Sequence, residues 1–163
     1  MKTLIVFYSL TGHAKGLAEA IAAGAVGEIL EIKTAKRLPK NWFMKLFVGG
    51  HQAMKKETPA LLPYDLNPQA YDMIFLGTPV WASTFAPAVR SFLALTKLQN
   101  KKIALFCSHG GESAGQTFAN LEKELAGNEI AGKIDFKMDG ISAEQTDKNL
   151  EEAKAWARKL MQG

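Results

Sequence analysis

Thr3-Leu4-Ile5-Val6-Phe7-Tyr8 runs directly into Ser9-Leu10-Thr11-Gly12-His13-Ala14, and this junction decides the fold. The first six residues are apolar, β-branched or aromatic, the pattern of a strand buried on both faces. From residue 11 to 24, Ala14, Leu17, Ala18, Ile21 and Ala22 recur on one helical face, and Gly24 marks the end. A strand, a short polar turn and a helix open a parallel α/β unit. The same stretch argues against a secretory signal, because its apolar run stops at Ser9 and such a region needs about 7–15 residues and a small-residue cleavage site. No run approaches the roughly 20 apolar residues that span a bilayer. The expectation is a soluble, cytoplasmic chain without a membrane span.

The unit repeats along the chain. Glu28–Lys33, Tyr71–Gly77, Lys102–Cys107 and Gly132–Met138 read as further strands. Phe85–Leu95 reads as a helix with Pro87 in its first turn. Residues 113–126 align Ala114, Phe118, Leu121 and Leu125, and residues 144–161 align Leu150, Ala153, Ala157 and Leu160. Buried strands alternating with helices predict a parallel sheet covered on both faces. Residues 34–70 are irregular, with Pro39, Pro59, Pro63 and Pro68, the pair Gly49-Gly50, and an aromatic-basic piece from Trp42 to Phe47 that reads as a short amphipathic helix. Lys55-Lys56 reads as a solvated surface pair.

At 163 residues the chain is expected to form one domain over 1–163. A globular chain of this size buries about two-thirds of its unfolded surface and needs no disulfide staples. The single cysteine, Cys107, excludes a disulfide framework and reads as a small apolar core residue. With 47% apolar and 22% charged residues the composition is that of a folded protein. The net charge of +4 leaves acidic partners open without pointing to them.

In an open parallel sheet the ligand lies beyond the carboxyl ends of the strands, where connections diverge. Three loops are expected to meet there. Ser9–Ala14 offers two hydroxyls, a glycine and the amides that open a helix, which suits a phosphate or simply caps the helix. Gly77-Thr78-Pro79-Val80-Trp81-Ala82-Ser83-Thr84 carries Trp81, whose ring either stacks on a flat ligand or packs in the core. Ser108-His109-Gly110-Gly111-Glu112-Ser113 combines two glycines with small hydroxyl residues, which allows a ligand close to the backbone. His109 reads as an exposed loop histidine, with a proton-donor role as the sharper alternative.

The pattern Ser9-x-Thr11-Gly12, then Gly77-Thr78-Pro79-Val80-Trp81, then Ser108-x-Gly110-Gly111 resembles the flavodoxin family over essentially the whole chain. The resemblance implies a flavodoxin-like three-layer sandwich, an α/β fold whose five-stranded parallel sheet has the order 2-1-3-4-5, with FMN as cofactor. It implies that Ser9, Thr11, Gly12, His13 and Ala14 bind the flavin phosphate, that Pro79, Val80 and Trp81 flank the isoalloxazine, that Ser108, Gly110 and Gly111 close the far side, and that Thr78 belongs to the cofactor-binding set. The family's first loop commonly carries a second threonine two residues after the glycine, where Ala14 stands. Members that dock redox proteins are typically acidic, whereas this chain is basic.

Other chemistries lack their residues. There is no GxxxxGK[ST] loop and no GxGxxG fingerprint, which argues against ATP hydrolysis and a dinucleotide fold. His13, His51 and His109 lack metal-ligand spacing, so no metal is expected. No side chain stands out as an obligate acid or base. The favoured expectation is an electron-transferring FMN protein whose partner is a redox protein or a small-molecule acceptor, with no nucleic acid involved. The alternatives are a small NAD(P)H-dependent FMN oxidoreductase resembling quinone reductases and a cofactor-less partner-binding flavodoxin fold.

Overall fold

The computed structural model describes residues 1–36 and 58–163. The aromatic-basic piece from Trp42 to Phe47, together with His51 and Lys55-Lys56, lies outside the described residues. Strands β1 (Thr3–Tyr8), β2 (Glu28–Ile32), β3 (Met73–Trp81), β5 (Lys102–His109) and β6 (Glu129–Lys137) form a parallel sheet in the order β2-β1-β3-β5-β6. A two-residue strand β4 (Thr84–Phe85) adds an antiparallel pairing to β3. Counting only the parallel strands, the order is the expected 2-1-3-4-5. Between and after them run the α-helices α1 (His13–Ala25), α2 (Pro87–Thr96), α3 (Thr117–Glu124) and α4 (Ala143–Gln162), with a short 3-10 helix at Pro68–Ala70.

Strand side chains alternate between the faces of the sheet, so each strand feeds two cores. Leu4, Val6, Leu76, Ile103 and Leu105 pack on one face with Val89 and Phe92 of α2 and Leu121 of α3. Ile5, Phe7, Phe75, Ala104 and Phe106 pack on the other with Leu17 and Ile21 of α1 and Ala153 and Ala157 of α4. The result is three layers. β1 leads through α1 to β2 on one side, and β3 leads through α2 to β5 on the other. The connections therefore diverge between the carboxyl ends of β1 and β3.

Small residues set the spacing of α1 and α4. A Cβ on Gly24 would lie 2.2 Å from the Lys154 carbonyl oxygen and 3.2 Å from the Ala157 Cβ. The obstacle is backbone, so the helices must move apart. Alanine is intrinsically about 1 kcal/mol better than glycine within a helix, but overpacking costs about 1–3 kcal/mol or more. Gly24→Ala is accordingly expected to lose about 2 kcal/mol, read as a lowered urea midpoint with an unchanged slope. A gain in stability would show that the two helices have room to spare.

The structure corrects the second expected loop. Gly77–Trp81 continues β3, and the chain reverses at Ala82-Ser83 so that Val80 pairs with Phe85 and Trp81 with Thr84. Both turn residues have positive φ, 48° and 65°, the geometry of a two-residue hairpin that usually takes Asn-Gly. The sequence carries no glycine there, which is why the hairpin was illegible. Helix α2 consequently begins at Pro87, two residues later than expected, with Pro87 at its first position.

Further boundaries differ: β3 begins at Met73 and β5 runs on to His109. Helix α3 begins at Thr117 because residues 113–116 brace the hairpin, where the Gln116 amide donates to the Ser83 carbonyl at 2.8 Å. β6 begins three residues before Gly132, with a register irregularity against β5 between Ile103 and Ala104. It pairs with the sheet through β5 alone and is exposed or half-exposed except at Phe136, so no continuous apolar run announces it.

Candidate functional site

The first loop is organised by Ser9. Its Oγ accepts hydrogen bonds from the Gly12 amide at 3.1 Å and the Lys15 amide at 3.3 Å. Helix-opening amides are thereby drawn to one oxygen, the arrangement an anion's oxygen takes at a helix amino terminus. Gly12 caps α1 with φ 93° and ψ −8°, a conformation that costs an L-residue roughly 1–2 kcal/mol. The Ala14 side chain is buried in the core, so only its backbone faces the loop. His13 opens α1, with its Nδ1 3.4 Å from Thr11 Oγ1 and 3.2 Å from an Asp139 carboxylate oxygen.

A crevice of about 400 Å³ lies beyond the strand ends, within the range of small-molecule sites. Thr11 and His13 line it from the first loop. Pro79, Val80 and Trp81 line it from the end of β3, and Ser108, Gly110 and Gly111 from the end of β5. Eight of the expected residues thus converge. Ser9, Gly12 and Ala14 are not among the lining residues.

Thr78 is a correction. It is fully buried, accepts the Ala86 amide at 2.9 Å and donates to the Pro79 carbonyl at 2.8 Å, so its hydroxyl ties the hairpin to α2 instead of facing a ligand. Trp81 joins the core, only 6% exposed, with its ring edge-on to Tyr8 at 5.6 Å between centroids and an 86° interplanar angle. It still lines the crevice. Of the two readings open at Trp81, core packing is therefore realised.

Leu10, His109, Ser113 and Asp139 also line the crevice. Leu10 and Ser113 stand beside expected residues and were legible as their neighbours. Asp139 follows β6 and carries no local motif, so only the parallel pairing of β6 with β5 brings it here. His109 is not an exposed loop residue: it ends β5, its side chain is 6% exposed, and its Nε2 lies 2.8 Å from Asp135 Oδ2. Among the described residues no cluster of His, Cys, Asp and Glu has the geometry to hold a metal ion.

Cys107 is fully buried, as expected, and burial followed by the nearby Asp135 charge pushes its thiol well above the ordinary 9.0. Burial likewise raises Tyr8. A raised acid pKa keeps the folded group neutral, and its stabilising contribution is present below the unfolded value and lost as pH rises beyond it. Stability is therefore expected to fall as pH climbs past about 9, with a smaller decline in Cys107→Ala. Alkylation of the native thiol is expected only through unfolding, so rapid native labelling at pH 8 would contradict this burial.

An open parallel sheet with helices on both faces, its connections diverging over an amide-lined loop and a crevice, defines a doubly wound nucleotide-binding class. A family model described as flavodoxin matches residues 2–153, and the chain belongs to the flavodoxin family. Solved structures agree on the fold. A flavoprotein from Lactobacillus acidophilus NCFM, in complex with FMN, is 22% identical over 82% of this chain and 92% of that one, with a TM-score of 0.67. A flavodoxin, WrbA-like protein from Agrobacterium tumefaciens is 18% identical, covers 99% and 95% of the two chains and has a TM-score of 0.66. The azoreductase AzrA is 14% identical, covers 96% and 99% and has a TM-score of 0.60. No described helix is long and apolar enough to cross a membrane.

Proposed function

We propose that this chain is a single domain over 1–163 that binds FMN in the crevice and passes electrons through it. The observation that carries the reading is the convergence of the Ser9–His13 loop with the ends of β3 and β5 at the point where the sheet's connections diverge. The residues fit the group. Ser9 Oγ already gathers amides of the first loop as an anion would, and a Cβ at Gly111 would meet nothing within 4 Å, which leaves open space beside the third loop.

Bound FMN supplies one- and two-electron redox chemistry, while the protein supplies position and electrostatics. The amides around Gly12 and the Thr11 hydroxyl hold the phosphate, helped by the positive end of α1. Pro79 and Val80 carry the wall of the crevice, and Trp81 fixes that wall by anchoring it in the core. Backbone groups of Gly110 and Gly111 face the opposite side. Thr78 acts at one remove, by holding the turn that places Pro79.

A second reading, a small NAD(P)H-dependent FMN oxidoreductase, is favoured by the net charge of +4, which ill suits a carrier docking through an acidic surface. The visible spectrum of the protein loaded with FMN, followed by anaerobic NADPH, separates the two. A carrier keeps its flavin absorbance for minutes under NADPH and loses it only with a protein reductant. Rapid bleaching by NADPH alone assigns the reductase. A preparation that takes up no FMN sinks both and leaves a partner-binding fold.

A further inference from the structure

Both ring nitrogens of His109 face oxygens that only accept. Nε2 lies 2.8 Å from Asp135 Oδ2, and Nδ1 lies 3.2 Å from the Gly111 carbonyl oxygen. A carbonyl and a carboxylate have no proton to give, so the two contacts can both be hydrogen bonds only when each ring nitrogen carries a proton, which is the imidazolium. The register explains why the pair exists. Cys107 sits opposite Asp135 across the β5–β6 ladder, and His109, two residues on, shares the Cys107 face. His109 can therefore reach back to Asp135 while its other nitrogen meets the turn that follows the strand.

We infer that His109 is a fixed cation in the wall of the crevice and that it favours the reduced state of bound FMN. This rests on the FMN reading above. His109 lines the crevice and Asp135 does not, so the positive end of the pair is the nearer one. Among the described lining residues there is no lysine or arginine, and the other histidine, His13, is engaged by Asp139 at 3.2 Å. Asp139 also stands beside Gly110, and Lys137 is the ladder partner of His109. When an external reductant delivers two electrons, and one proton follows from solvent, the flavin gains one net negative charge, which a neighbouring cation stabilises. Both ring protons of His109 are committed to Asp135 and Gly111. His109 therefore acts through its charge and not as a proton donor.

The first test needs no flavin. Long-range ¹H–¹⁵N spectra of the apoprotein at pH 7 are expected to show both ring nitrogens of His109 protonated, and Asp135→Leu, which leaves Nε2 no acceptor at that position, is expected to lose one of the two protons. A single protonated nitrogen in the wild type would overturn the inference. The second test measures the reduction potential of bound FMN, with dithionite as reductant, in the wild type and in His109→Gln. The variant is expected to bind reduced FMN at least tenfold more weakly relative to oxidised FMN, a negative shift of about 30 mV for a two-electron couple. An unchanged potential in a variant that binds oxidised FMN normally would overturn the inference while leaving FMN binding intact. Failure of the wild type to bind FMN would overturn both.

Discussion

Trp81→Ala is expected to destabilise the protein by about 3–5 kcal/mol, the range for emptying a buried tryptophan site. The ring is 6% exposed and belongs to the core face that also holds Tyr8, Leu76, Phe85 and Val89. Its removal takes away the edge-on contact with Tyr8, itself worth roughly 0.5–1.5 kcal/mol beyond area burial. The turn that follows makes the site unforgiving. Ala82 and Ser83 both hold left-handed backbone without being glycine, and such conformations persist only where the surroundings over-determine them. The Trp81↔Thr84 pairing on one side and the Gln116 contacts to Ser83 on the other supply that constraint. Chemical denaturation measures the loss. A change below 1 kcal/mol would mean that the ring is dispensable to the core and belongs to the crevice alone.

Thr11→Asp is expected to weaken FMN binding by at least 100-fold, about 2.7 kcal/mol. Thr11 lines the crevice at the amino terminus of α1. A carboxylate there places a negative charge within a few ångströms of the phosphate and competes for the same amides. The described lining residues include no lysine or arginine, and Asp139 already adds a carboxylate. The fold itself should survive, because Thr11 is exposed and an acidic residue at a helix amino terminus is favourable. Flavin fluorescence quenching gives the affinity and circular dichroism the fold. Undiminished binding by a folded variant would move the phosphate away from this loop.

The parts of the fold legible in the sequence are those where one physical signal dominated. β1 and β5 are fully apolar in their middles, and α1 keeps its buried face at helical spacing. The first and third loops were legible because hydroxyls and glycines stand where strands end. What escaped reading depended on distant pairing. The β3–β4 hairpin uses Ala82 and Ser83 where a local signal would be Asn-Gly, and β6, paired through β5 alone, alternates apolar residues with charges. The same cause hid the partners of the histidines. Asp135 and Asp139 come from the β6 region, far along the chain from the histidines they face, and no local motif links them to His109 or His13. Thr78 was misplaced because a buried hydroxyl holding a turn looks, in sequence, like one presented to a ligand.

The central claim is that the first loop and the crevice together hold a flavin by its phosphate. Titration of the purified apoprotein with FMN and, separately, with riboflavin tests it most directly, because the two differ only in the phosphate. Saturable quenching of FMN fluorescence at one equivalent, with riboflavin bound at least tenfold more weakly, is the predicted result. Equal affinity for the two ligands, or no quenching by FMN, would contradict it.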